Sequence, residues 1–143
     1  MYMLLGDSVS DGAMIIATKS VIPNDPSNRD WQEFFEWIGK GNTPVPKQPS
    51  RCHFFNGTEW VLDNVLLDGW LGSLRSARNI ELSLTDWTQL PDVQLSQQAV
   101  NEWKQYRQDL RDLPSKNLTA YVGKMPDLSL LLEILGRSGR PNA

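Results

Sequence analysis

A chain of 143 residues has the length of one domain, and folding at this size hides about 68% of the extended chain's surface, enough for one sizeable core. Charged residues make up 22% and hydrophobic ones 40%, with no apolar run of about 18 or more, which excludes a transmembrane span and a long disordered tail. Fourteen Lys and Arg against seventeen Asp and Glu leave a formal net charge of −3, without the basic excess that a nucleic-acid backbone demands. Neither nucleic acid nor a membrane is expected as a partner.

The opening Met1-Tyr2-Met3-Leu4-Leu5-Gly6-Asp7 lacks a positive stretch followed by a long apolar core, so no leader is expected and the chain should fold in a cytoplasm. The β-branched and apolar stretch from Ala13 to Ile22, stopped by Pro23 and Pro26, predicts a strand. Ser27 or Asn28 then caps a short helix with Trp31, Phe34, Phe35 and Ile38 on one face, closed by Gly39 and Gly41. These elements make an N-terminal strand-helix module, residues 1–43. Pro44, Pro46 and Pro49 favour an extended linker over 44–50.

Over 51–63, Asn56-Gly57 between two aromatic, apolar arms signals a tight β-hairpin. Leu66, Leu67, Trp70, Leu71, Leu74, Ala77 and Leu84 follow helical spacing and predict a helix over 64–84. Residues 85–95 carry a proline and no helical period. After them Ser96 is a good N-cap for a second helix, on which Val100, Trp103, Leu110 and Leu113 recur until Pro114. The two helices should fold back on each other as an antiparallel hairpin, residues 64–116. The extension 117–143 contains a third, short helix over 127–135, with Pro126 in its first turn and leucines on almost every side. The fold class is therefore α+β: a small strand-helix module and a β-hairpin, then a helix hairpin and a short C-terminal helix.

Chemistry is sparse. The single cysteine, Cys52, excludes an internal disulfide framework, a cysteine-based zinc site and a CxxC pair. Its neighbour His53 would point to the opposite face of a strand, so the two cannot act as nucleophile and base. Asp86 and Asp92 flank one loop and invite comparison with an acid and base pair for sugar hydrolysis, but short acidic residues there serve more often as backbone caps. Phosphate loops, nucleophile elbows and dinucleotide fingerprints are absent. No catalytic residue, metal or cofactor is expected, and the chain is not read as an enzyme. Arg75 and Arg78, three apart on the first helix, are instead expected to reach Asp86 or Asp92. Trp87 should anchor the loop, with Trp103 in the same cluster and the Arg107 guanidinium over its indole. The six tryptophans either fill a small core or anchor an interface.

Thr85-Asp86-Trp87-Thr88-Gln89-Leu90-Pro91-Asp92, followed by Trp103-Lys104-Gln105-Tyr106-Arg107-Gln108-Asp109-Leu110-Arg111-Asp112-Leu113-Pro114, resembles the bacteriophage tail assembly chaperone and tail fibre assembly family. Arg75 with Arg78 sits where that family's first helix carries paired arginines, and residues 73–114 are covered. The Ile22 to Trp31 stretch and the Cys52 to Val61 stretch resemble modules that accompany this hairpin in phage tail proteins. Glu81 departs from the pattern by replacing an expected leucine, Gln94 by replacing a proline, and 117–143 has no counterpart. The resemblance implies a non-catalytic accessory that binds a tail fibre, baseplate or other tail subunit and assists its folding or assembly in the host cytoplasm. Its alternative is a permanent structural adaptor retained in the virion tail.

The third helix raises its own expectation. With apolar residues on nearly every side, Leu128, Leu131, Leu132 and Leu135 should form a partner-binding or self-association surface, unless the helix plugs an open end of the chain's own core.

Overall fold

The computed structural model describes residues 1–142. The chain forms two compact units, one from Met1 to Pro49 and one from Ser50 onward. No helix among the described residues is long and apolar enough to cross a membrane.

In the first unit, β1 (Tyr2–Leu4), β2 (Ala13–Ile15) and β3 (Ser20–Ile22) form an antiparallel sheet in that order. The single strand expected over 13–22 is thus two strands. One unbroken strand of ten residues would run about 33 Å, longer than so small a unit can cover on both faces. The polar Thr18-Lys19-Ser20 instead lets the chain turn back, with Lys19 at a φ of 57° and its N–H donating to the Ile15 carbonyl at 2.8 Å. The turn sets Ala13 directly opposite Ile22, and both are buried. β1 forms where the sequence signalled no element. Val45 holds it from the other side, donating to the Tyr2 carbonyl and accepting from the Leu4 N–H.

Helix α1 (Arg29–Gly39) starts at Asn28, whose side-chain oxygen accepts from the N–H groups of Asp30 and Trp31 at 2.9 and 3.1 Å. Trp31 and Phe34 bury against Ala13 and Ile22. The Tyr2 ring packs against Phe34 and Trp37 with centroids 5.1 Å from each. Phe35 stays half exposed.

The second unit opens with β4 (His53–Phe55) and β5 (Trp60–Leu62), paired so that Phe55 faces Trp60. Beyond the strands the Asn56 N–H donates to the Glu59 carbonyl at 3.1 Å, so the hairpin is tight, with Gly57-Thr58 rather than Asn56-Gly57 at its tip. Asn56 explains this: its side-chain oxygen accepts from the N–H groups of both Thr58 and Glu59, so the side chain itself closes the turn.

Helix α2 (Asn64–Leu84) stands where its apolar periodicity puts it, and α3 (Gln97–Asp112) where periodicity and the Ser96 cap do. Asp63 caps α2 through the N–H groups of Val65 and Leu66, and Ser96 caps α3 through that of Ala99. Trp70 and Leu74 from α2 meet Trp103, Tyr106 and Leu110 from α3 in one core, which Leu113 and Cys52 complete. The Trp70 indole N–H donates to the Lys124 carbonyl at 2.7 Å, satisfying the polar edge of a buried ring.

Helix α4 (Leu128–Ile134), capped by Asp127, corrects the partner-surface expectation. Leu131 lies in that same core with Leu130 and Ile134, and Leu132 and Leu135 pack on its edge. Leu128 is half buried. The physical reason is supply: the α2 and α3 faces bury only part of their apolar surface on each other, and α4 covers a further part.

Two turns frame α4. Gly136 closes it in the left-handed region (φ 65°), with its own N–H donating to the Glu133 carbonyl and that of Arg137 to Leu132. Gly123, at φ 84°, lies against Ser50: a methyl group added there would meet the Ser50 Cβ at 2.7 Å. At Gly136 the same methyl would meet nothing within 4 Å. Gly136→Ala should therefore cost only the backbone penalty of about 1–2 kcal/mol, and Gly123→Ala distinctly more. Denaturant melts of the two variants check this, and equal losses would contradict the packing at Ser50.

Candidate functional site

Two polar networks are built into the helix hairpin. The first grows from the end of α2. Thr85 and the 3-10 turn Asp86–Gln89 lead out of the helix, and both threonines are buried. The Thr88 hydroxyl donates to the Thr85 carbonyl at 2.7 Å, and the Thr85 hydroxyl donates back to the Glu81 carbonyl at 2.9 Å. Such back-bonding hydroxyls fold a loop onto the helix it has just left. Arg107, buried on α3, crosses to this turn. Its Nη1 donates to the Leu82 carbonyl and to the Thr85 hydroxyl, and its Nη2 meets Asp86 Oδ1 at 2.6 Å. Among the described residues Arg107 Nε is buried without a partner, so the guanidinium's bonding is directed at the end of α2 and the turn that follows it.

The second network lies one turn deeper. Glu81 is only 3% exposed, and a buried carboxylate is costly unless fully paired. The Tyr106 hydroxyl donates to its Oε1 at 2.8 Å. Arg140 closes on both oxygens, Nε to Oε1 at 2.7 Å and Nη2 to Oε2 at 2.6 Å. Arg140 belongs to the segment after α4, and that segment is held at two further points. Arg137 pairs with Asp109 at 3.2 Å and lies over the Tyr106 ring at 5.4 Å, and the Asn142 carbonyl accepts from the Trp103 indole N–H at 3.2 Å. Burial first, and the hydrogen bond to the Glu81 carboxylate second, push the Tyr106 hydroxyl well above the ordinary tyrosine range.

Several expected side chains stand elsewhere. Arg75 and Arg78 do not reach Asp86 or Asp92. Eight residues of helix separate Arg75 from the end of α2, and eight residues span about 12 Å, so Arg107 takes Asp86 instead. Arg78 donates to the Asn79 side chain at 3.1 and 3.0 Å, and Asp92 is exposed on the loop. Trp87 is 43% exposed and meets Trp103 edge to face, centroids 5.9 Å apart. The 3-10 turn aims Thr88 inward and leaves Trp87 on the rim. Arg107 is drawn to the loop rather than over the Trp103 indole, and Arg137 on Tyr106 is the guanidinium that covers a ring. Cys52 sits in the core, its Sγ 3.8 Å from the Leu66 carbonyl, while His53 Nδ1 bonds the Ser50 hydroxyl at 2.8 Å.

Glu81, Thr85, Thr88 and Arg140 were not singled out from sequence as parts of a site. Thr85 and Thr88, three apart around Asp86-Trp87, carried a readable signal, since hydroxyls at that spacing bond back to the preceding turn.

Arg107→Lys keeps the charge but loses the fork that spans a carbonyl, a hydroxyl and a carboxylate, so it should cost about 2 kcal/mol or more. Asp86 has a side chain that is 67% exposed, and Asp86→Asn should cost less than about 1 kcal/mol. Chemical denaturation ranks the two, and the reverse order would mean that the exposed carboxylate holds the loop. The raised Tyr106 hydroxyl has a signed consequence. The folded chain keeps this proton after the unfolded chain has lost it, so its contribution is complete below the ordinary tyrosine value of about 10 and declines as pH rises beyond it. Urea melts across that range should show a shallower alkaline decline in Tyr106→Phe than in the parent. An equal decline would mean that Tyr106 ionises as freely in the fold as out of it.

Residues 71–118, a third of the chain, match the model of a family described as phage tail assembly chaperone protein. No curated protein and no solved structure matches the chain. The matched stretch contains most of α2, the threonine-anchored turn and all of α3, together with Glu81, Tyr106 and Arg107; Arg140 lies beyond it. Such a match supports a helper role in tail assembly. The hairpin that carries both polar networks is thus the part of this chain that matches the phage tail assembly chaperone protein family.

Proposed function

We propose that this chain binds a tail fibre, or another subunit of the phage tail, in the host cell and assists its folding or incorporation without a catalytic step. The match over 71–118 carries this reading. The surface supports it: Val65, Ile80, Leu84 and Leu90 are all more than half exposed on and beside α2, an apolar exposure that suits a module acting by surface complementarity. The polar networks act as internal fasteners and present the hairpin as a rigid platform, so that little order is lost on binding.

Co-expression with the tail proteins of the same phage, one at a time, should raise the soluble yield of one of them and give a joint peak on gel filtration. No such complex with any tail protein would overturn the proposal. Protein analysis of purified virions then separates the two modes. A transient helper is absent from particles, whereas a structural adaptor is present at fixed copy number.

A further inference from the structure

One cleft in the second unit is lined wholly by residues inside the matched stretch 71–118. Its floor is made of Leu74 and Leu113, both core side chains, and its rim of Leu71, Pro114 and Leu118. Leu71 and Leu118 are the first and last matched residues. The cleft has a volume of about 80 Å³, roughly half of the 150 Å³ that an engineered apolar cavity uses to hold benzene, so it suits one aliphatic side chain. Because its floor is the core itself, a side chain entering it extends the packing of the hairpin.

Charge marks one wall. Arg75 and Arg78 both line the cleft. Arg78 is held by the neutral Asn79 side chain, and among the described residues neither guanidinium has a carboxylate partner. This is so in a chain with more acidic than basic residues, whose Arg107, Arg137 and Arg140 all take carboxylates. Paired guanidiniums one helical turn apart, beside an apolar slot, are complementary to a carboxylate flanking an apolar side chain.

We propose that this cleft is the docking site for a short acidic and apolar segment of the tail protein that the chain assists. One aliphatic side chain of that segment fills the slot over Leu74 and Leu113, and a neighbouring carboxylate pairs with Arg75 and Arg78. The proposal rests on the tail-assembly reading and supplies the chemistry of its partner.

The test uses the full chain and the tail protein found to form a complex with it. Arg75→Glu with Arg78→Glu should weaken that complex at least about tenfold in Kd, while the melting temperature of the chain alone stays that of the parent. Arg75→Gln with Arg78→Gln should weaken it less and serves as the second reading if the double reversal unfolds. Added salt should weaken the parent complex and leave the Gln pair nearly unaffected. Lysine in place of the contacting carboxylate on the tail protein should restore binding to the Glu pair. If the parent forms the complex and the Glu and Gln pairs bind equally well, the cleft is not the docking site and the tail-assembly reading stands. If sedimentation shows a parent dimer that both pairs disperse, the cleft serves a second copy and the proposal is overturned. If the parent binds no tail protein, the broader reading fails and this one with it.

Discussion

A carboxylate buried between two helices constrains everything around it. Glu81 lies inside the hairpin where an aliphatic side chain would pack at no electrostatic cost, and it is tolerable only because Tyr106 and Arg140 occupy its oxygens. Tyr106 ties the carboxylate to α3. Arg140 ties it to the segment after α4, which must then come back across the hairpin. The route of residues 135–140 follows from one charge: α4 has to end near the Glu81 turn, Gly136 has to reverse the chain there, and Arg137 passes over the Tyr106 ring on the way. Removing Arg140 would strand a buried anion, a larger loss than the value of the pair itself.

Arg107 sets the neighbouring turn of the hairpin in the same manner. A purely apolar helix pair can slide by a turn at modest cost, since one leucine replaces another in each hole. A guanidinium that must meet the Leu82 carbonyl, the Thr85 hydroxyl and Asp86 together has one position. Two polar fasteners about one helical turn apart thus set α2 and α3 in a single register, and leave the apolar residues between them to supply the burial. This division of labour explains how a hairpin of ordinary leucines and tryptophans becomes a defined platform.

The helices were legible in the sequence because their signals are local. Asn28, Asp63, Ser96 and Asp127 cap their own helices through N–H groups two or three residues on, and the apolar spacing of α2 and α3 needs no knowledge of a partner. The turn at 16–19 was less legible, since β-branched residues on both sides of it read as one strand until the need to bury Ala13 and Ile22 on one face is considered. The site was legible in part. Arg107, Asp86 and Trp103 were recognised as a group, but which arginine reaches Asp86 depends on distance along α2. The depth of Trp87 depends on which way a 3-10 turn rotates. Glu81 was visible only as a departure from a resemblance, because its partner stands 59 residues away in a segment without a counterpart.

That departure and that segment belong together. A leucine at position 81 would need no cation. With glutamate at 81, an arginine must arrive from somewhere, and the extension supplies it along with α4, which covers apolar surface that α2 and α3 leave open. The extension therefore works as an internal lid on one side of the hairpin, fastened by Arg137 and Arg140. Of the extension only Leu118 lines the cleft, beside Leu71 and Leu113. A hairpin closed on one side by its own chain thus leaves open elsewhere the charged cleft that we propose takes the partner segment.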